Sequence, residues 1–205
     1  MTDFLPQFLG DHGPLRFRAA QWDAVEAPVD LLVAGLWGKG KGGALSPELQ
    51  GLDSVLHGAL RHLCARAIFH GDAGEALTLS SPPPPIKARS LMLVGLGLAA
   101  PMQVERIEHA MEQAMQTALC TQAISVACFV GWSEIGIGQG EGASTCQAIA
   151  QAMMRGALLA LDRPAILPER RLDWTFAVGG EYQNMVIEAL RNTLRERPDP
   201  DANGG

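Results

Sequence analysis

Three nearly uninterrupted apolar runs dominate the sequence: 29–36 (V-D-L-L-V-A-G-L), 90–95 (S-L-M-L-V-G) and 124–130 (I-S-V-A-C-F-V). A strand with one wet face alternates apolar and polar residues, so a continuous apolar run of this length predicts a strand covered on both faces. Glycine follows each run, and after it comes an amphipathic stretch with three- and four-residue spacing. Helices are predicted over 46–66, 101–121, 144–161 and 181–196, with further strands at 15–19, 76–79 and 172–178. Ser46-Pro47-Glu48 reads as a helix start: hydroxyl N-cap, Pro at the first helical position, and an acid near the positive end of the dipole. Ser80-Ser81-Pro82-Pro83-Pro84-Pro85 reads as a stiff extended connector. The fold class is therefore α/β, with three layers and a mixed, mostly parallel central sheet between helices.

With 205 residues, the chain has room for one sizeable domain and is short for two. Residues 13–196 are expected to form it, after an N-terminal segment 1–12 and before a frayed polar tail 197–205. Phe4, Leu5, Phe8 and Leu9 stand at helical spacing in the first segment, which is expected to cap the core. Docking on a neighbouring subunit is the alternative.

Charge bounds the partners. The formal net charge is −6, and no run of Lys or Arg exceeds two residues, which argues against nucleic acid or an anionic membrane. No apolar stretch reaches the ~20 residues of a membrane span, and the N-terminus has no signal-peptide pattern. A cytoplasmic setting is expected. Cys64, Cys120, Cys128 and Cys146 lie far apart without C-x-x-C spacing, so they read as small hydrophobes. His57 and His62 would stand about 140° apart on one helix, and His12, His70 and His109 read as isolated, so no metal site is expected. No G-x-S-x-G elbow or paired nucleophile and base is present, so no catalytic residue is assigned and no cofactor is expected.

Two glycine-rich loops follow inner strands, where open α/β sheets bind ligands. In the first, Gly35 to Gly42 nearly matches the phosphate-binding pattern G-x-x-x-x-G-K-[S/T], with Gly42 in place of the hydroxyl residue that holds magnesium. Its candidate ligand-binding residues are Gly38, Gly40, Lys41, Gly42 and Gly43. In the second, the candidates are Gly136, Ile137, Gly138, Gln139 and Gly140, whose exposed amides can form an anion-binding nest. Plain glycine turns are the competing explanation for both loops.

Several segments together carry a family resemblance. Asp30-Leu31-Leu32-Val33-Ala34-Gly35 with Leu45-Ser46-Pro47-Glu48-Leu49-Gln50-Gly51-Leu52-Asp53 resembles the N-terminal domain of cytosolic leucyl aminopeptidases. So do the F-x-G-x-x-G-x-x-L-x-L stretch at 69–79, the strand Arg89-Ser90-Leu91-Met92-Leu93-Val94-Gly95-Leu96-Gly97, and the helix at 149–162. The resemblance implies a macro-domain-like fold and a role in assembly or regulation. It also implies that metals and chemistry belong to a C-terminal domain, whose N-T-D-A-E-G-R and lysine segments have no counterpart here. A non-catalytic domain standing alone, working through a protein partner or self-association, is the leading expectation. The second expectation is recognition of ADP-ribose or a related nucleotide, because 124–140 is similar to the macro-domain strand and phosphate loop and 40–45 to its other ligand loop. Hydrolysis is not expected, since Ala34-Gly35-Leu36-Trp37 stands where hydrolysing macro domains carry N-A-A-N.

Overall fold

The computed structural model describes residues 6–38, 45, 47–98, 101–130, 142–162 and 170–197. Seven strands form one sheet: β1 (Gln7–His12), β2 (Leu15–Ala20), β3 (Leu31–Gly38), β4 (Ala76–Ser80), β5 (Ser90–Leu98), β6 (Ser125–Val130) and β7 (Leu172–Ala177). Their order is β1-β2-β7-β6-β3-β5-β4. The five inner strands run parallel, and β1 and β4 close the edges antiparallel. The helices are α1 (Pro47–Val55), α2 (Ala59–Ala65), α3 (Val104–Cys120), α4 (Gly142–Leu159) and α5 (Gln183–Glu196).

Strand alternation divides the apolar residues into two cores. On one face Leu31, Val33, Met92, Val94, Val126, Cys128, Trp174 and Phe176 pack under α3, α4 and α5. On the other, Leu32, Ala34, Leu91, Leu93, Ala127 and Phe129 pack under Leu49, Leu52 and Leu60 of α1 and α2. The expected three layers are present. Because β3 is buried at every position, its sequence carries no polar alternation.

Two elements differ from their sequence patterns. The first residues were expected at helical spacing, yet 7–12 form edge strand β1, paired with β2 from Gln7↔Ala19 to His12↔Leu15. Leu9 enters the core and Phe8 stays exposed, because an edge strand has one covered face. The helix predicted over 46–66 is broken at 56–58, where His57 and Gly58 take φ of 55° and 80°. Asp53 stabilises the break: buried, its Oδ1 accepts from the N–H groups of Leu60 (2.9 Å) and Arg61 (3.2 Å) and so caps α2. The Arg61 Nε lies 2.5 Å from its other carboxylate oxygen. Ser46, the predicted cap of α1, lies outside the described residues.

Helices α3 and α4 meet at close range through Gly156. A Cβ at that position would lie 2.1 Å from the Glu108 carbonyl oxygen, and the neighbouring Arg155 holds the Glu108 carboxylate at 2.6 Å. Gly→Ala inside a helix ordinarily stabilises it by roughly 0.5–1 kcal/mol. Here the sign reverses, because the obstacle is backbone and must shift. Gly156→Ala is expected to destabilise the fold by about 1–3 kcal/mol, read as a lower urea midpoint with an unchanged slope.

Candidate ligand-binding site

Parallel strands that neighbour each other but send their connections to opposite faces leave a crevice at their carboxyl ends. Strands β3 and β6 meet that condition. They pair in parallel from Leu31↔Val126 to Gly35↔Val130. From β3 the chain passes to α1 and α2 on one face, and from β6 to α4 on the other. Both glycine-rich loops therefore start from the carboxyl ends of adjacent strands. Gly38, the last residue of β3, is buried there. The other nine candidates (Gly40, Lys41, Gly42, Gly43, Gly136, Ile137, Gly138, Gln139 and Gly140) lie outside the described residues. The second loop leads directly into α4, whose first turn carries no acidic residue.

Residues 69–75 pack against the carboxyl ends of β3 and β5 at very short range. A Cβ on Gly95 would lie 1.9 Å from the Asp72 carbonyl oxygen, and one on Gly71 2.8 Å from the Trp37 carbonyl. Gly71 also has φ +76°, so glycine is required there twice over. The Gly97 N–H donates to the Gly71 carbonyl and the Gly95 N–H to the Glu75 carbonyl, both at 2.9 Å.

This packing brings His70, Asp72 and Glu75 together, although sequence alone left His70 isolated. Glu75 Oε2 accepts from the backbone N–H of His70 (2.7 Å) and of Asp72 (3.1 Å). Its Oε1 lies 2.8 Å from His70 Nδ1. Desolvation by itself would raise the Glu75 pKa. The hydrogen bonds from the His70 ring and from the two backbone N–H groups, with the His70 charge, outweigh it and hold the carboxyl below its ordinary value. Glycines at 71 and 74, which let a chain fold back on itself, were the available sequence signal.

Residues 33–161 match the family described as Cytosol aminopeptidase family, N-terminal domain. The chain belongs to this family. The matched stretch runs from β3 through α4 and contains both glycine-rich loops and the 69–75 segment. Among solved structures, a mutant of tomato leucine aminopeptidase is 19% identical with a TM-score of 0.61, over 87% of this chain and 35% of that one. The chain thus spans about a third of the tomato enzyme. A mutant of the Oceanobacillus iheyensis macrodomain gives a TM-score of 0.67 at 9% identity, covering 94% of this chain and 99% of that one. A Trypanosoma brucei macrodomain in complex with ADP gives 0.56 at 11% identity, over 87% and 68%. These identities show a shared fold, and the macro-domain-like architecture follows. No curated protein matches.

Within this aminopeptidase N-terminal domain the two buried cysteines, Cys128 and Cys146, make poor nucleophiles. Burial pushes the Cys128 thiol up to about 12, and its Sγ lies 3.4 Å from Met111 Sδ. Burial also raises Cys146. Neither supplies thiolate near neutral pH, so both act as packing residues. Cys120 is exposed at the end of α3. Among the described residues no helix is long and apolar enough to cross a membrane.

Proposed function

We propose that this chain is a non-catalytic, macro-type recognition domain whose ligand, ADP-ribose or a related nucleotide, binds in the crevice between β3 and β6. The observation that carries this reading is the departure of both glycine-rich loops from adjacent parallel strands at the point where their connections diverge to opposite faces. Backbone amides of such loops, with the start of α4, offer an anion site that needs no cationic side chain. Similar structures include macrodomains described with ADP, from O. iheyensis and T. brucei. The domain is taken to comprise 13–196 together with edge strand β1, in a cytoplasmic protein. Its regulatory role is what membership in the family's N-terminal domain suggests.

A thermal melt with millimolar ADP-ribose tests the nucleotide site. At a hundredfold its dissociation constant a ligand adds about 2.7 kcal/mol to the native state, which for this size raises the melting temperature by roughly 5–10 °C. Gly42→Val and Gly138→Val are each expected to remove the rise while leaving the ligand-free melt unchanged. A wild-type protein that shows no shift overturns the nucleotide reading. For the non-catalytic part, pure protein with added divalent metal is expected to release no leucine from Leu-amide, and metal-dependent release overturns it.

Self-association is the second reading, and edge strand β4 favours it. All five of its residues are exposed, none is charged or Pro, and Leu77 and Leu79 are 39% and 43% accessible. Such an edge is a template for another strand. We commit to a second copy of the chain. An antiparallel pair of β4 strands about a two-fold axis at Thr78 sets Leu77 opposite Leu79 of the other copy, an arrangement complementary to itself. Sedimentation is expected to show a dimer that Leu79→Lys dissociates. A wild-type monomer at high micromolar concentration overturns it.

A further inference from the structure

We propose that His70, Asp72 and Glu75 form a site for a divalent metal ion of intermediate softness, Zn(II) in the first instance. The inference does not rest on the nucleotide reading. Each residue offers one ligand atom, and the three atoms lie within 4.8 Å of one another. Nitrogen and oxygen donors sit about 2.0–2.2 Å from bound zinc in tetrahedral geometry, so three ligands of one ion stand roughly 3.3–3.8 Å apart. Drawing the donors together by about an ångström requires side-chain rotation, and His70 and Asp72 are exposed enough to make it.

The donor chemistry selects the ion. One imidazole among three ligands disfavours calcium and magnesium, and two carboxylates disfavour the soft ions that seek thiolate. Three protein ligands leave a coordination position for water or an anion. The like charges of Asp72 and Glu75 at this separation gain directly from a cation between them, the more so in a chain of net charge −6.

The donors stand on a frame fixed by other forces. The Asp72 carbonyl is wedged against Gly95 at a distance no side chain would tolerate. The backbone at 71 and 75 is hydrogen-bonded to β5. A site whose backbone is already placed spends little of its binding free energy on ordering the chain. It also lies beside the first glycine-rich loop, since Asp72 Oδ1 is 3.3 Å from where a Cβ on Gly38 would stand.

Calorimetric titration of Zn(II) into the full chain, without nucleotide, tests the site. The exposed thiol is removed first by Cys120→Ser. One equivalent is expected to bind, at least ~10-fold more weakly after His70→Ala or Asp72→Asn and unchanged after His57→Ala or His109→Ala. Metal-free melting temperatures matching the parent separate lost ligation from lost folding. Should either ligand variant melt low, the ring-proton signals of His70 in the parent decide, because ligation shifts them at one equivalent and its absence leaves them in place. No saturation near one equivalent, or equal affinity in both ligand variants, overturns the proposal. Because nucleotide is absent throughout, either result leaves the ADP-ribose reading to its own test.

Discussion

The fold depends on β3, paired in parallel with β5 on one side and β6 on the other and buried at every position. Its two faces enter different cores, so the covering helices must divide between the faces. That division makes the connections after β3 and β6 diverge. The amino ends of the same strands are locked by side chains. Asp30 Oδ2 accepts from the N–H groups of Ile124 (2.9 Å) and Ser125 (3.2 Å) and from the Ser125 hydroxyl, while Oδ1 lies 3.1 Å from Arg89. One end of the sheet is thus tied by a half-buried carboxylate network, and the other is left to loops. Rigid strands carrying variable loops are the usual platform for recognition.

Glycine does two different jobs in this chain, and only one of them concerns ligands. Gly95 and Gly156 are packing residues that let the 69–75 segment meet β5 and α3 meet α4. The glycines of the two loops follow the carboxyl ends of β3 and β6 along the chain. Glycine content alone does not separate the two roles.

Strands β3, β5 and β6 were legible because burial on both faces leaves continuous apolar runs that no amphipathic helix produces. The long helices were legible for the complementary reason, a sustained stripe such as Ile107, Met111, Ala114, Met115 and Ala118. Strand β1 was not, because Phe4, Leu5, Phe8 and Leu9 fit a helical spacing while an edge strand buries too few residues to show its own period. The break between α1 and α2 was hidden as well: it turns on a left-handed conformation at His57 and a cap supplied by Asp53 from the preceding helix. The adjacency of the two glycine-rich loops depends on the strand order, which local pattern does not encode. The His70 cluster has residues two and five positions apart, a spacing that means nothing on a helix or strand and acquires meaning only in a chain folded back at glycine.

A net charge of −6 does not weaken an anion site built from backbone amides. Exposed charges beyond about 8–10 Å are largely screened at physiological salt, so the local arrangement decides. What matters locally is Asp72, whose carboxylate borders Gly38 and would repel a phosphate held by the loop that begins there. A cation shared by His70, Asp72 and Glu75 would cancel that repulsion and present an open coordination position to the same anion. The metal and nucleotide proposals, though tested apart, are then linked energetically: each ligand would raise the affinity for the other by the same factor. Without metal, Asp72 and Glu75 oppose an anion in the crevice, and the amides of both loops together with the start of α4 must outweigh them.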